Sequence, residues 1–83
     1  MNKVEHIKKY YPHALFLKDF DDCIIGMCCI TTKIPIIAYS YNKIMDKLIS
    51  EFGEDYAAEY YECQVKMEIA GPLAPCFINE YRN

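Results

Sequence analysis

No apolar run in this 83-residue sequence approaches the roughly 18 residues that cross a bilayer as a helix. The opening stretch, Met1-Asn2-Lys3-Val4-Glu5-His6, also lacks the apolar region of a secretory signal peptide. The expectation is a protein of the cytoplasm with no membrane partner. Basic clusters are missing too: the nine basic residues are scattered, from Lys3, Lys8 and Lys9 through Lys18, Lys33, Lys43, Lys47 and Lys66 to Arg82. With a net charge of −3, the long-range field repels phosphate backbones and anionic headgroups. Broad nucleic-acid binding is therefore not expected. There is no internal repeat, linker or low-complexity stretch, so residues 1–83 are expected to form one domain.

The five cysteines, Cys23, Cys28, Cys29, Cys63 and Cys76, lack the paired spacing of a structural zinc site. Cys28 and Cys29 are adjacent, and neighbours on a strand point to opposite faces, which makes it hard for both to hold one ion. An odd number of cysteines with no secretory leader favours reduced thiols acting as small hydrophobes over a disulfide framework. A cysteine nucleophile would need a base such as His13 brought from a distant loop. No cofactor and no metal are assigned on these grounds.

The chain does contain a hydrophobic fraction of 53%, enough for a core and too much for a disordered tail. The eight-residue run Cys23 to Ile30 is short for a helix and uniformly apolar, and it reads as a central strand buried on both faces. Before it, Val4 and Ile7 opposite Glu5, Lys8 and Lys9 predict a short helix over residues 3–10, stopped by Pro12. Ala14 to Leu17 reads as a short strand or an extended lead-in. After it, Thr31-Thr32-Lys33 has hairpin-turn length, although the strong Asn-Gly and Asp-Gly signals are absent. Ile34 to Tyr39 then reads as a second strand, with Pro35 near its start.

Ile44, Met45, Leu48, Ile49 and Phe52 repeat at the 3.6-residue period, with Ser40 or Asn42 as cap and Gly53 as terminator. A further helix begins at Gly53, with Glu54 and Asp55 in its first turn. It runs to about Gln64, with Ala57, Tyr60, Tyr61 and Val65 inward. Lys66 to Ala70 is ambiguous, Gly71, Pro72 and Pro75 mark a loop, and Cys76 to Ile78 reads as a closing strand. The expected fold is a small α+β domain of order α-β-β-α-α-β, a three-stranded sheet covered by a helical pair.

Four segments carry a resemblance. Phe20 to Gly26, Tyr39 to Ile44, Ala57 to Gln64, and Gly71 with Pro75 resemble a family of short phage and prophage proteins, whose members read FDDAIIG, YDYDK, EEAxEFFEFN and GxxTPxF in that order. The match covers about residues 14 to 78. It implies a small α/β domain in a phage setting, hence the host cytoplasm, and brings no activity with it. Ser40 and Asn42 replace two aspartates of that pattern, Gln64 replaces an asparagine, and Ala74 replaces a threonine.

Two constellations could carry function. Asp21 and Asp22, with Asp19, form an acidic group before the apolar run. It is either a solvated turn or the carboxylates of a metal-dependent hydrolase, and the remaining ligands of a calcium loop are absent. The eight tyrosines are more than a core this small needs. Tyr56, Glu59 and Tyr60, or Tyr39 and Tyr41 with Asn42 and Lys43 at the strand-to-helix junction, suit a surface for another protein or a second copy. The expected function is therefore non-catalytic binding of a host protein, as an inhibitor or defence antagonist. The alternative is a homo-oligomeric binder of a nucleotide or other small ligand, using the junction's aromatics and Lys43.

Overall fold

The computed structural model describes residues 2–29, 34–66, 71 and 73–81. The predicted Thr31-Thr32-Lys33 turn and most of the ambiguous segment Lys66 to Ala70 lie outside the described residues. Helix α1, Lys3–Tyr10, starts where the Asn2 side chain accepts a hydrogen bond from the Glu5 N–H at 2.9 Å. It ends before Pro12, with Lys8 and Lys9 in the last turn where a cation suits the helix dipole. Its one buried residue is Ile7, so α1 docks by a single narrow stripe. Residues 14–17 form no strand. They run as irregular chain, with Leu17 buried and its N–H donating to the Tyr39 hydroxyl at 2.7 Å.

Asp21–Cys23 is a 3-10 turn leading into strand β1, Ile24–Cys28. Strand β2, Ile36–Ser40, pairs antiparallel with β1, and β3, Cys76–Ile78, pairs parallel with β2. The sheet order is β1-β2-β3. The apolar run at Cys23 is therefore an edge strand, not the central one, and only Ile24 within β1 is fully buried. β2 is the inner strand, buried at all five positions. The physical reason is the connection: a parallel partner for β2 needs a crossover, the helical pair supplies it, and β3 is delivered to the side of β2 away from β1. The strand that gains neighbours on both sides is the one between the hairpin and the crossover.

Helix α2, Tyr41–Phe52, is capped by the Ser40 hydroxyl, which accepts from the Lys43 N–H at 3.2 Å. Ile44 and Leu48 face the sheet and join Ile24, Ile37 and Tyr39 in the core. Gly53, at φ +86°, ends α2 in a conformation that costs a glycine little and opens helix α3, Glu54–Tyr60. α3 passes into one turn of π-helix, Tyr61–Val65, whose buried Tyr61 and Val65 close the core. The α+β order read from the sequence is thus the observed one. No helix among the described residues is long and apolar enough to cross a membrane.

Candidate functional site

The two helices that cover the sheet meet at Gly53, and two exposed aromatic rings, Phe52 and Tyr56, lie at the corner they make. Phe52 closes α2, and Tyr56 and Tyr60 follow at helical spacing on α3. Their rings touch: Phe52 and Tyr60 stack with centroids 4.9 Å apart, and Phe52 meets Tyr56 edge-on at 5.5 Å. Phe52 is 42% exposed and Tyr56 52%.

Beside this cluster lies a cleft of about 520 Å³. One wall is α2, through Lys47, Leu48, Glu51 and Phe52; the second is the α3–π segment, through Tyr60, Cys63 and Gln64. The loop of Lys18, Asp19 and Phe20 closes the third side. Single π-helical turns often sit at functional sites, because the extra residue re-aims the side chains that follow.

Lys47 fastens the loop to α2. Its ammonium donates to the Asp19 carbonyl, pairs with Asp22 at 3.3 Å and lies 5.4 Å above the Phe20 ring. Asp19 itself sits at φ +71°, a left-handed conformation that aspartate tolerates better than most residues. The hydrogen bond from Lys47 holds the Asp22 carboxyl below its ordinary value of 3.8. A carboxylate so held stays ionised at neutral pH and is a poor general acid. Among the described residues no three His, Cys, Asp or Glu side chains converge as a metal site. Neither His6 nor His13 lines the cleft, so Cys63 has no imidazole there to activate it.

The acids are distributed unevenly. Glu51, Glu54, Asp55, Glu59 and Glu62 fall between residues 48 and 65, and no lysine or arginine does. The chain has twelve acids and nine bases, so without these five the remainder holds seven acids against nine bases. The stretch from 48 to 65 is thus acidic, flanked by Lys47 in the cleft wall and by Lys66, which pairs with Glu62 at 3.5 Å. Tyr56, Glu59 and Tyr60, grouped from the sequence, lie on the one helix α3, with Tyr56 and Glu59 exposed and Tyr60 half-buried.

The strand-to-helix junction differs from its expected role. Tyr39 has no exposed surface, and its hydroxyl is bonded to Leu17, so it is a core residue and presents nothing outward. Tyr41 is half-buried and meets Tyr61 edge-on at 5.0 Å. The Asn42 side-chain oxygen accepts from the Glu80 N–H at 2.6 Å, and the Ser40 hydroxyl donates to the Glu80 carboxylate. Ser40 and Asn42 thus pin the segment after β3 to the start of α2. An anion there would meet the Glu80 carboxylate, and Ser40 already satisfies the Lys43 N–H. Asp21 is exposed beside Asp22 and is not drawn into the cleft.

Sequence reasoning placed Phe52 inside and passed over Glu51, Lys18 and Lys47. Phe52 obeys the same period as Leu48, and only its place one residue before Gly53 signals that the helix ends before the residue reaches the core.

Fold and site together define a small α+β domain with an open mixed sheet and an acidic, aromatic helical corner. No protein-family model matches the sequence, and no curated protein or solved structure is significantly similar to it.

Proposed function

We propose that this is a non-catalytic binding protein of phage type, which acts by occupying a basic surface of a host protein through the α2–α3 corner. One observation carries the reading: three touching rings, exposed Phe52 and Tyr56 and half-buried Tyr60, on a stretch, residues 48–65, that holds five acids and no lysine or arginine. Aromatic side chains dominate the energetics of protein interfaces, since they bury large area at little entropic cost. The acids around them steer association with a positively charged partner and raise the encounter rate at low salt. A host groove that binds nucleic acid has that charge, and an acidic protein that fills it acts as a competitor. The phage setting rests on the sequence resemblance.

The test is affinity capture from host lysate with the wild type and with the Phe52→Ala/Tyr60→Ala double variant, in low and high salt. The expected result is one partner retained by the wild type, released by salt and lost in a variant that still melts cooperatively. Retention by the double variant, or no retained protein at any ionic strength, overturns the proposal. The cleft beside the rings supports a second reading, a small aromatic anion held between Tyr60, Phe20 and Lys18. Stabilisation by a nucleotide in a thermal-shift screen, lost in Lys18→Glu, would favour it.

A further inference from the structure

The sheet turns one face to the helices and the other away from them. Ile37 and Tyr39, with Phe77 packed against them, belong to the core that Ile44, Leu48 and Tyr61 close, so the alternate positions of the same strands point the other way. The register fixes which residues share that second face. Cys28 lies opposite Ile36 on β2, and Cys76 lies opposite Ala38, so the four side chains are on it together. Ile36 and Ala38, between the two thiols, are buried.

Cys28 and Cys76 are both free and half-buried. Burial pushes the Cys76 thiol up, and the Cys28 sulfur, within hydrogen-bonding reach of it, adds to the shift. Two sulfurs from distant parts of the chain are thus neighbours over an apolar patch. A pair of this kind can close as a disulfide or share an ion. A disulfide needs Cα atoms within about 7 Å of each other. β1 and β3 flank β2 at about 4.8 Å a step, which holds their backbones about 10 Å apart. Side chains can reach across that gap, whereas the backbones cannot close it without breaking the ladder to β2. Zinc is a poor fit for a different reason: a structural zinc takes four ligands, and among the described residues no third His, Cys, Asp or Glu converges with this pair. Soft thiolates select copper(I). With metal–sulfur bonds of about 2.3 Å, a linear bis-thiolate ion sets its sulfurs about 4.6 Å apart, a span that two neighbouring thiols can meet.

We propose that Cys28 and Cys76 form a two-coordinate thiolate site for a soft monovalent cation, copper(I), on the sheet face turned away from the helices. Binding converts two thiols and one copper(I) ion into a bis-thiolate complex and releases two protons, with no change of oxidation state, so affinity rises with pH. The site is separate from the α2–α3 corner and stands without it.

The test is titration of the reduced full chain with copper(I), in the absence of oxygen, against a chromogenic copper(I) chelator. The expected outcome is one ion per chain. Cys28→Ser and Cys76→Ser each still melt cooperatively and weaken binding at least about a hundredfold, since even an outer-shell partner is worth about 10–100-fold in metal affinity. The Cys29→Ser/Cys63→Ser double variant, which removes the two exposed thiols, binds as wild type does. Alkylation read by mass spectrometry needs no variant: bound copper(I) shields Cys28 and Cys76, while Cys29 and Cys63 react as before. Binding retained by either single variant, binding lost with the exposed pair, one ion per two chains, equal shielding by Zn2+, no competition with the chelator, or a Cys28–Cys76 disulfide formed by glutathione disulfide with melting unchanged would each overturn the inference.

Discussion

Replacing Tyr39 by phenylalanine removes a single oxygen from the centre of the protein. That oxygen accepts the Leu17 N–H at 2.7 Å, and both residues are essentially sealed from water, at 0% and 1% exposure. In the variant the Leu17 N–H loses this partner, and solvent cannot reach it to take the oxygen's place. Leaving a buried donor unpaired costs about 1–3 kcal/mol, more than the roughly 1 kcal/mol net value of an average hydrogen bond. For a domain of this size each kcal/mol moves the midpoint by about 4–8 °C, so Tyr39→Phe should melt about 4–24 °C below wild type. Urea unfolding should show a lower midpoint with an unchanged slope, the mark of lost stability without a change in exposed surface. Tyr41→Phe is the control: Tyr41 is half-buried, and its variant should lose less. A Tyr39→Phe protein within about 0.5 kcal/mol of wild type would mean that the Leu17 N–H is satisfied some other way, and the structural role given to Tyr39 would fail.

Three further outcomes are expected. Ser40→Ala removes both the cap of α2 and the donor to Glu80, and should lose about 1–2 kcal/mol in urea unfolding, whereas Lys43→Ala, which keeps the backbone N–H, should lose little. Asp22→Asn should lose under about 0.5 kcal/mol, since its ion pair with Lys47 is largely solvated. Its pKa is lowered in the fold, so the small contribution is present above pH 3.8 and disappears as pH falls through the folded value; a urea series in acid compares the two proteins. Burial pushes the Tyr61 phenol from 10 up to about 12. The folded form therefore holds its proton where the unfolded form loses it, and stability should fall between pH 10 and pH 12. Tyr61→Phe should flatten that part of the profile, and an unchanged slope would place the phenol in solvent.

Local chemistry in the sequence was enough for the order of elements. Pro12 and Gly53 set helix ends through their own backbone limits, Ser40 caps through its own hydroxyl, and the repeat of Ile44 and Leu48 declares which side of α2 turns inward. Each of these signals acts over one or two turns of chain, so one chain without its relatives suffices to read them. Tyr56, Glu59 and Tyr60 could be grouped for the same reason, being neighbours on one helix.

Position within the sheet is decided over longer distances. Residues 23–30 and 36–40 are both apolar, and composition cannot say which strand lies inside, because that depends on where the crossover delivers Cys76–Ile78. Once β3 takes the far side of β2, Ile36–Ser40 becomes the sealed strand, Tyr39 goes to the core with Leu17 as its partner, and the run at Cys23 is left on the edge. Phe52 likewise follows a buried period in the sequence, and only the turn of α3 at Gly53 leaves its ring beside Tyr56 and Tyr60 instead of beneath them. A tyrosine can therefore be counted from the sequence, but its surroundings are set by which distant strand or helix arrives next to it, and that is a property of the tertiary fold.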